Sequence, residues 1–93
     1  MATVTNVLAP PLVFGNWAVV YSHIDGPNTV TISVEPIGST VITGEVKYWD
    51  EDDNETVESF TTLTKVRYGN SSANIRVRLK GTPTGSSCVV TVK

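Results

Sequence analysis

The feature that most constrains this chain is its β-branched content: thirteen Thr, fifteen Val and five Ile stand in 93 residues. Branching at Cβ freezes χ1 against a preceding helical turn, whereas on a pleated surface the same branch packs against cross-strand neighbours. These residues fall in short alternating runs broken by Gly, Pro, Asn and Asp, which supply turn conformations. The reading is all-β: a two-sheet antiparallel β-sandwich, immunoglobulin-like or jelly-roll, of seven or eight short strands. A small barrel is the other way to close the same strands.

Size and charge narrow the function classes. A chain of 93 residues suits one domain and buries only somewhat more than roughly 60% of its unfolded surface, which leaves little core to hollow out for a deep active site. Useful surfaces are therefore expected on faces, loops and edges. Seven basic against nine acidic side chains give a net charge of -2, no field for a phosphate backbone, so nucleic acid is not expected as a partner. No apolar run reaches the roughly 20 residues of a spanning helix, so membrane insertion is not expected. The opening Met-Ala-Thr-Val-Thr-Asn lacks the basic and apolar segments of a secretory leader. The sequence assigns no compartment, and an extracellular or virion structure fits it as well as any other. Cys88 is the only cysteine, which excludes an internal disulfide framework.

Along the chain, residues 1–16 read as an extended apolar N-terminal arm or edge strand, because Pro10 and Pro11 fix φ and remove two ladder donors. Residues 17–93 read as one sandwich. Trp17–Ile24 is apolar on both faces, as in a strand covered on both sides, with Trp17 in the core. Val30, Ile32 and Val34 alternate with polar residues, as do Ile75, Val77 and Leu79 with Asn74, Arg76, Arg78 and Lys80. Ile42, Gly44, Val46 and Tyr48 are assigned inward, and a hairpin through the acidic tip leads to Val57–Leu63, where Val57 and Phe60 fall on opposite faces unless a bulge intervenes. Cys88, Val90 and Val92 point inward in a final hairpin.

Few residues carry chemistry. His23 is the only imidazole, and no elbow or helix start near Cys88 would activate a thiol, so the chain reads as non-enzymatic. Asp50, Asp52, Asp53 and Asn54 offer the hard oxygen ligands that suit calcium, the one cofactor considered. An EF-hand is excluded, because Glu55 stands where its glycine belongs and Thr61 where its bidentate Glu belongs. The bland reading of this tip is a solvated turn. Arg76, Arg78 and Lys80 form a basic stripe that cross-strand pairing with Glu35, Glu45 or Glu58 would explain. Tyr48 and Trp49 are candidates for a stacking platform. Asn54-Glu55-Thr56 and Asn70-Ser71-Ser72 match glycosylation triplets, a pattern short enough to arise by chance.

Val4, Val7, Leu8, Leu12, Val13 and Phe14 are more apolar than a free terminus should be. They could cover the edge of a neighbouring copy, or belong to a first strand that bends at the prolines and switches sheets within its own sandwich. The expectation for function is a structural subunit that assembles with copies of itself into a homo-oligomer, by analogy of architecture with fibre, appendage and phage or shell components. The alternative is a small carbohydrate- or protein-binding module, calcium-dependent if the acidic tip holds an ion.

Overall fold

A computed structural model describes residues 3–22, 26–38, 40–70 and 74–93. It contains eight strands: β1 (Thr3–Ala9), β2 (Ala18–Ser22), β3 (Asn28–Pro36), β4 (Val41–Trp49), β5 (Glu55–Phe60), β6 (Leu63–Tyr68), β7 (Asn74–Thr82) and β8 (Ser86–Val92). Each strand of the first half pairs antiparallel with its mirror partner in the second: β1 with β8, β2 with β7, β3 with β6 and β4 with β5. The chain thus doubles back as one long ribbon whose turn is residues 50–54. Two further pairings, β3 with β8 and β4 with β7, wrap that ribbon into two four-stranded sheets. Their orders are β1-β8-β3-β6 and β2-β7-β4-β5, the jelly-roll winding of a β-sandwich. The sheets stay separate, which disposes of the barrel.

Period-two patterning drives the layering. Val30, Ile32 and Val34 of β3, Ile75, Val77 and Leu79 of β7, and Cys88, Val90 and Val92 of β8 are all buried between the sheets. Burying a side chain of this size is worth about 1.5–3 kcal/mol, and a slip of one residue would turn a whole row into water, so register is fixed. Gly44 sits in the buried row of β4, opposite Phe60. A Cβ there would lie 2.6 Å from Phe60 Cζ, so the missing side chain is the space that the ring occupies.

Two expectations are corrected. The run beginning at Trp17 is not a strand covered on both sides: β2 is an edge of its sheet, its register shifts between Val19 and Tyr21, and Val19 is 43% exposed. Only Val20 of its five residues is fully inside. Nor does β8 form a hairpin with β7. Both sides of β7 are already taken by β4 and β2, so β8 crosses to the other sheet and inserts between β1 and β3.

The ribbon turn is built by Asp50. Its Oδ1 accepts from the backbone amides of Asp52 and Asn54, both at 2.9 Å, and its own amide donates to the Asn54 carbonyl at 3.0 Å. Asp53 adopts φ 62°, a left-handed conformation that Asp tolerates better than most residues. The Gly69 amide donates to the Trp49 carbonyl at 3.0 Å, holding the end of β6 against the start of this turn. A Cβ on Gly69 would lie 2.3 Å from the Asp50 carbonyl oxygen, a backbone atom that cannot give way alone. Gly69→Ala is therefore expected to destabilise the fold by about 1–3 kcal/mol. Gly38→Ala, where the nearest atom is Ser86 Oγ at 3.8 Å, should stay within about 0.5 kcal/mol of wild type. Urea unfolding of the two variants measures the difference.

Candidate functional site

The N-terminal segment divides its six apolar residues among different surroundings. Within β1, Val7 is 5% exposed and belongs to the core, whereas Val4 and Leu8 are 62% and 64% exposed on the outer face of the first sheet. There they stand opposite Thr91 and Ser87 of β8. At Pro10 and Pro11 the chain leaves that sheet. The Pro10 carbonyl accepts from the Gly81 amide at 2.9 Å, the Leu12 amide donates to the Gly81 carbonyl at 2.8 Å, and the Gly15 amide donates to the Leu79 carbonyl at 3.0 Å. The segment therefore runs along the border of β7 in the second sheet. Leu12 pays for the turn with φ 64°, rare for a bulky side chain, and the hydrogen bond to Gly81 holds it there. Leu12 and Val13 are exposed at this turn, and Phe14 is half-buried beyond it.

Four strands form sheet borders: β1 and β6 in the first sheet, β2 and β5 in the second. A bare border offers unpaired amides and carbonyls to any other strand, and proteins guard against this with charge, bulges or shortness. β5 carries Glu55 and Glu58, with Glu58 opposite the inward-facing Val46. β6 carries Lys65 and Arg67, and Arg67 Nε lies 2.8 Å from Glu51 Oε1. β2 has five residues and an irregular register. β1 has none of these devices: its seven residues, Thr-Val-Thr-Asn-Val-Leu-Ala, are uncharged and pair with β8 without a register shift.

The space beside β1 is equally neutral. Two open depressions, of about 320 and 440 Å³, lie between β1 and the stretch from Gly15 to Ser22. Thr3 and Thr5 face Val20 and Tyr21 in one, and Val7 faces Trp17 and Ala18 in the other. Among the described residues, no charged side chain lines either. Sequence reasoning could not find this trough, because its walls come from different sheets and only the winding brings them together.

The outer face of the second sheet carries the basic stripe. Glu45 stands opposite Arg78, and its Oε1 accepts from Arg78 Nε at 2.6 Å and lies 2.5 Å from Nη2. Lys47 Nζ and the Arg78 guanidinium lie 4.6 and 4.7 Å from the centre of the Trp17 ring. Arg78 and Lys80 lie 4.8 and 5.0 Å from that of Phe14. Trp17 is thus not a core residue; its ring spreads over cations, contacts worth about 0.5–1 kcal/mol each where exposed. Glu45 answers only Arg78, and among the described residues Arg76 and Lys80 have no carboxylate within ion-pair distance.

The remaining candidates do not converge. Tyr48 and Trp49 alternate to opposite faces of β4, and Tyr48 is 7% exposed with its hydroxyl donating to Glu58 Oε1 at 2.8 Å, so the two rings share no platform. Asp50 spends both carboxylate oxygens inside its own turn, Oδ2 accepting from the Thr56 hydroxyl at 3.3 Å. Asp52, Asp53 and Asn54 follow it round that turn, and no three Asp, Glu, His or Cys side chains converge as a metal site among the described residues. Cys88 is fully buried, and burial pushes its thiol pKa up, which favours the unreactive protonated form. His23 lies outside the described residues, as do Ser71 and Ser72 of the second glycosylation triplet. No protein-family model matches this sequence, and no curated protein matches it.

Burial, followed by the hydrogen bond and charge of Glu58, pushes the Tyr48 hydroxyl up from 10.0 to about 12. The folded chain therefore holds this proton more tightly than the unfolded chain does. The resulting stabilisation is complete below pH 10 and is lost as pH climbs through about 12. Tyr48→Phe removes it, so the stability gap between wild type and variant should shrink steadily between pH 10 and 12 in urea midpoints taken across that range.

Proposed function

We propose that this chain is a non-enzymatic structural subunit that assembles with copies of itself, and that the β1 border is the contact. One observation supports this above the others: three sheet borders are guarded by charge, irregularity or shortness, and the fourth, seven residues long, is bare. A protein that spends side chains on protecting three edges is expected to use the fourth, where main-chain hydrogen bonds supply affinity and alternate side chains supply register. The exposed Val4 and Leu8 on the same strand fit that use. A carbohydrate- or protein-binding module around Tyr48 and Trp49 has weaker support, since those rings face opposite ways.

Deleting the segment is a poor test, because Val7 and Ala9 are core residues and their loss would unfold the sandwich. A charge on the exposed face of the border is cleaner. Wild type is expected to scatter light with the mass of an oligomer, and Val4→Lys with that of a folded monomer. Val57→Lys, on the already guarded β5, should leave the mass of wild type unchanged. A wild-type chain that remains monomeric at millimolar concentration overturns the proposal.

A further inference from the structure

The partner and the register of that contact can be taken one step further, on the footing that the β1 border is where copies meet. We infer that β1 pairs with β1 of a second copy, antiparallel about a two-fold axis that passes through Asn6.

The choice of occupant follows from chemistry on the strand itself. A strand added to this border is best matched if it brings no charge, because the described residues that line the trough beside it are all uncharged, Thr3, Thr5, Asn6, Tyr21 and Trp17 among them, and offer no counter-ion. β5 and β6 fail that condition through Glu55, Glu58, Lys65 and Arg67, and β2 fails on geometry through its irregular register. Among the described border strands of a second copy, β1 alone satisfies both requirements.

The register follows from which side chains need partners. In β1 the outward-facing residues are Val4, Asn6 and Leu8, evenly spaced about Asn6. An antiparallel pair centred on Asn6 sets Val4 against Leu8 of the second copy, Leu8 against Val4, and Asn6 against Asn6. Both exposed aliphatic residues gain an apolar neighbour, and the one amide meets another amide with which it can exchange hydrogen bonds. Centring the pair on the residue to either side would oppose an aliphatic side chain to an amide in two of the outer pairs, and would set Thr5 or Val7 on the axis instead. A two-fold contact also sets the trough of one copy beside the trough of the other.

Cysteine cross-linking tests this directly. Cys88 is fully buried, so wild type should form no intermolecular disulfide under mild oxidation and serves as the blank. Cα atoms directly opposite in an antiparallel pair are about 4.5–5.5 Å apart, within disulfide reach. Asn6→Cys alone should therefore give a covalent dimer in high yield. Val4→Cys and Leu8→Cys should each give little alone and a hetero-linked dimer when mixed. Amide hydrogen exchange on wild type gives a second readout that needs no variant: β1 amides should slow as protein concentration rises, and β6 amides should not. If wild type is oligomeric but Asn6→Cys stays unlinked, or β1 exchange ignores concentration, the two-fold pairing is wrong while self-assembly stands. If wild type is monomeric throughout, both are wrong.

Discussion

The rest of the structure depends on one constraint, the fold-back of the chain at residues 50–54 into a ribbon whose two halves pair strand for strand. Strands β1 and β8 are far apart in sequence, and their pairing lies at the opposite end of the ribbon from the turn that sets β4 against β5. Asp50 matters for this reason. Its carboxylate replaces solvent at the turn amides, so one side chain satisfies the reversal between β4 and β5. Winding the ribbon into two layers then buries the period-two Val and Ile rows from both sides, which no single hairpin could do. Most contacts join residues distant in sequence, and chains of that kind pay loop-closure entropy before they gain packing, so they fold slowly and expose strand borders meanwhile.

That exposure gives the guarding of the borders its meaning. Glu58 stands on the inward side of β5 yet reaches the Tyr48 hydroxyl, so the charge that keeps other strands away is also satisfied in the native fold. Lys65 and Arg67 mark β6 in the same way. The second sheet adds protection on its outer face, where Phe14 and Trp17 lie over Lys47, Arg78 and Lys80. The N-terminal segment therefore has two jobs within its own chain. Residues 3–9 complete the first sheet, and residues 10–17 seal the border of β7 and pin aromatic rings to the basic stripe.

Much of this fold was legible in the sequence, for a definite physical reason. Where one face of a strand meets water, as in β3 and β7, alternation is strict and assigns every side chain. Where apolar residues serve two purposes, alternation misleads: Trp17 and Val19 look like core beside Val20, but one stacks on cations and the other is exposed at an edge. Adjacency in sequence also suggested a hairpin between β7 and β8. Sheet order is decided by which borders remain free, information that no single segment carries. The same limit applies to the candidate site. The apolar character of Val4, Leu8, Leu12 and Val13 was visible, and so were the two prolines, but the trough between β1 and β2 exists only through the winding. Tyr48 and Trp49 were legible as aromatic neighbours, and the same period-two rule that placed Tyr48 inward already set them on opposite faces.

A bare border also limits what kind of assembly can grow from it. Pairing of β1 with its own copy is an isologous contact, and such a contact closes on itself: once two copies have joined, no β1 is left to recruit a third. The product is then a continuous eight-stranded sheet whose two new ends are both β6, the strand marked by Lys65 and Arg67. Like charges directly opposite disfavour a β6-to-β6 repetition of the same device. On the proposed pairing, edge contacts alone give a dimer with protected ends, and a larger structure would be built from sheet faces or loops with that dimer as its unit.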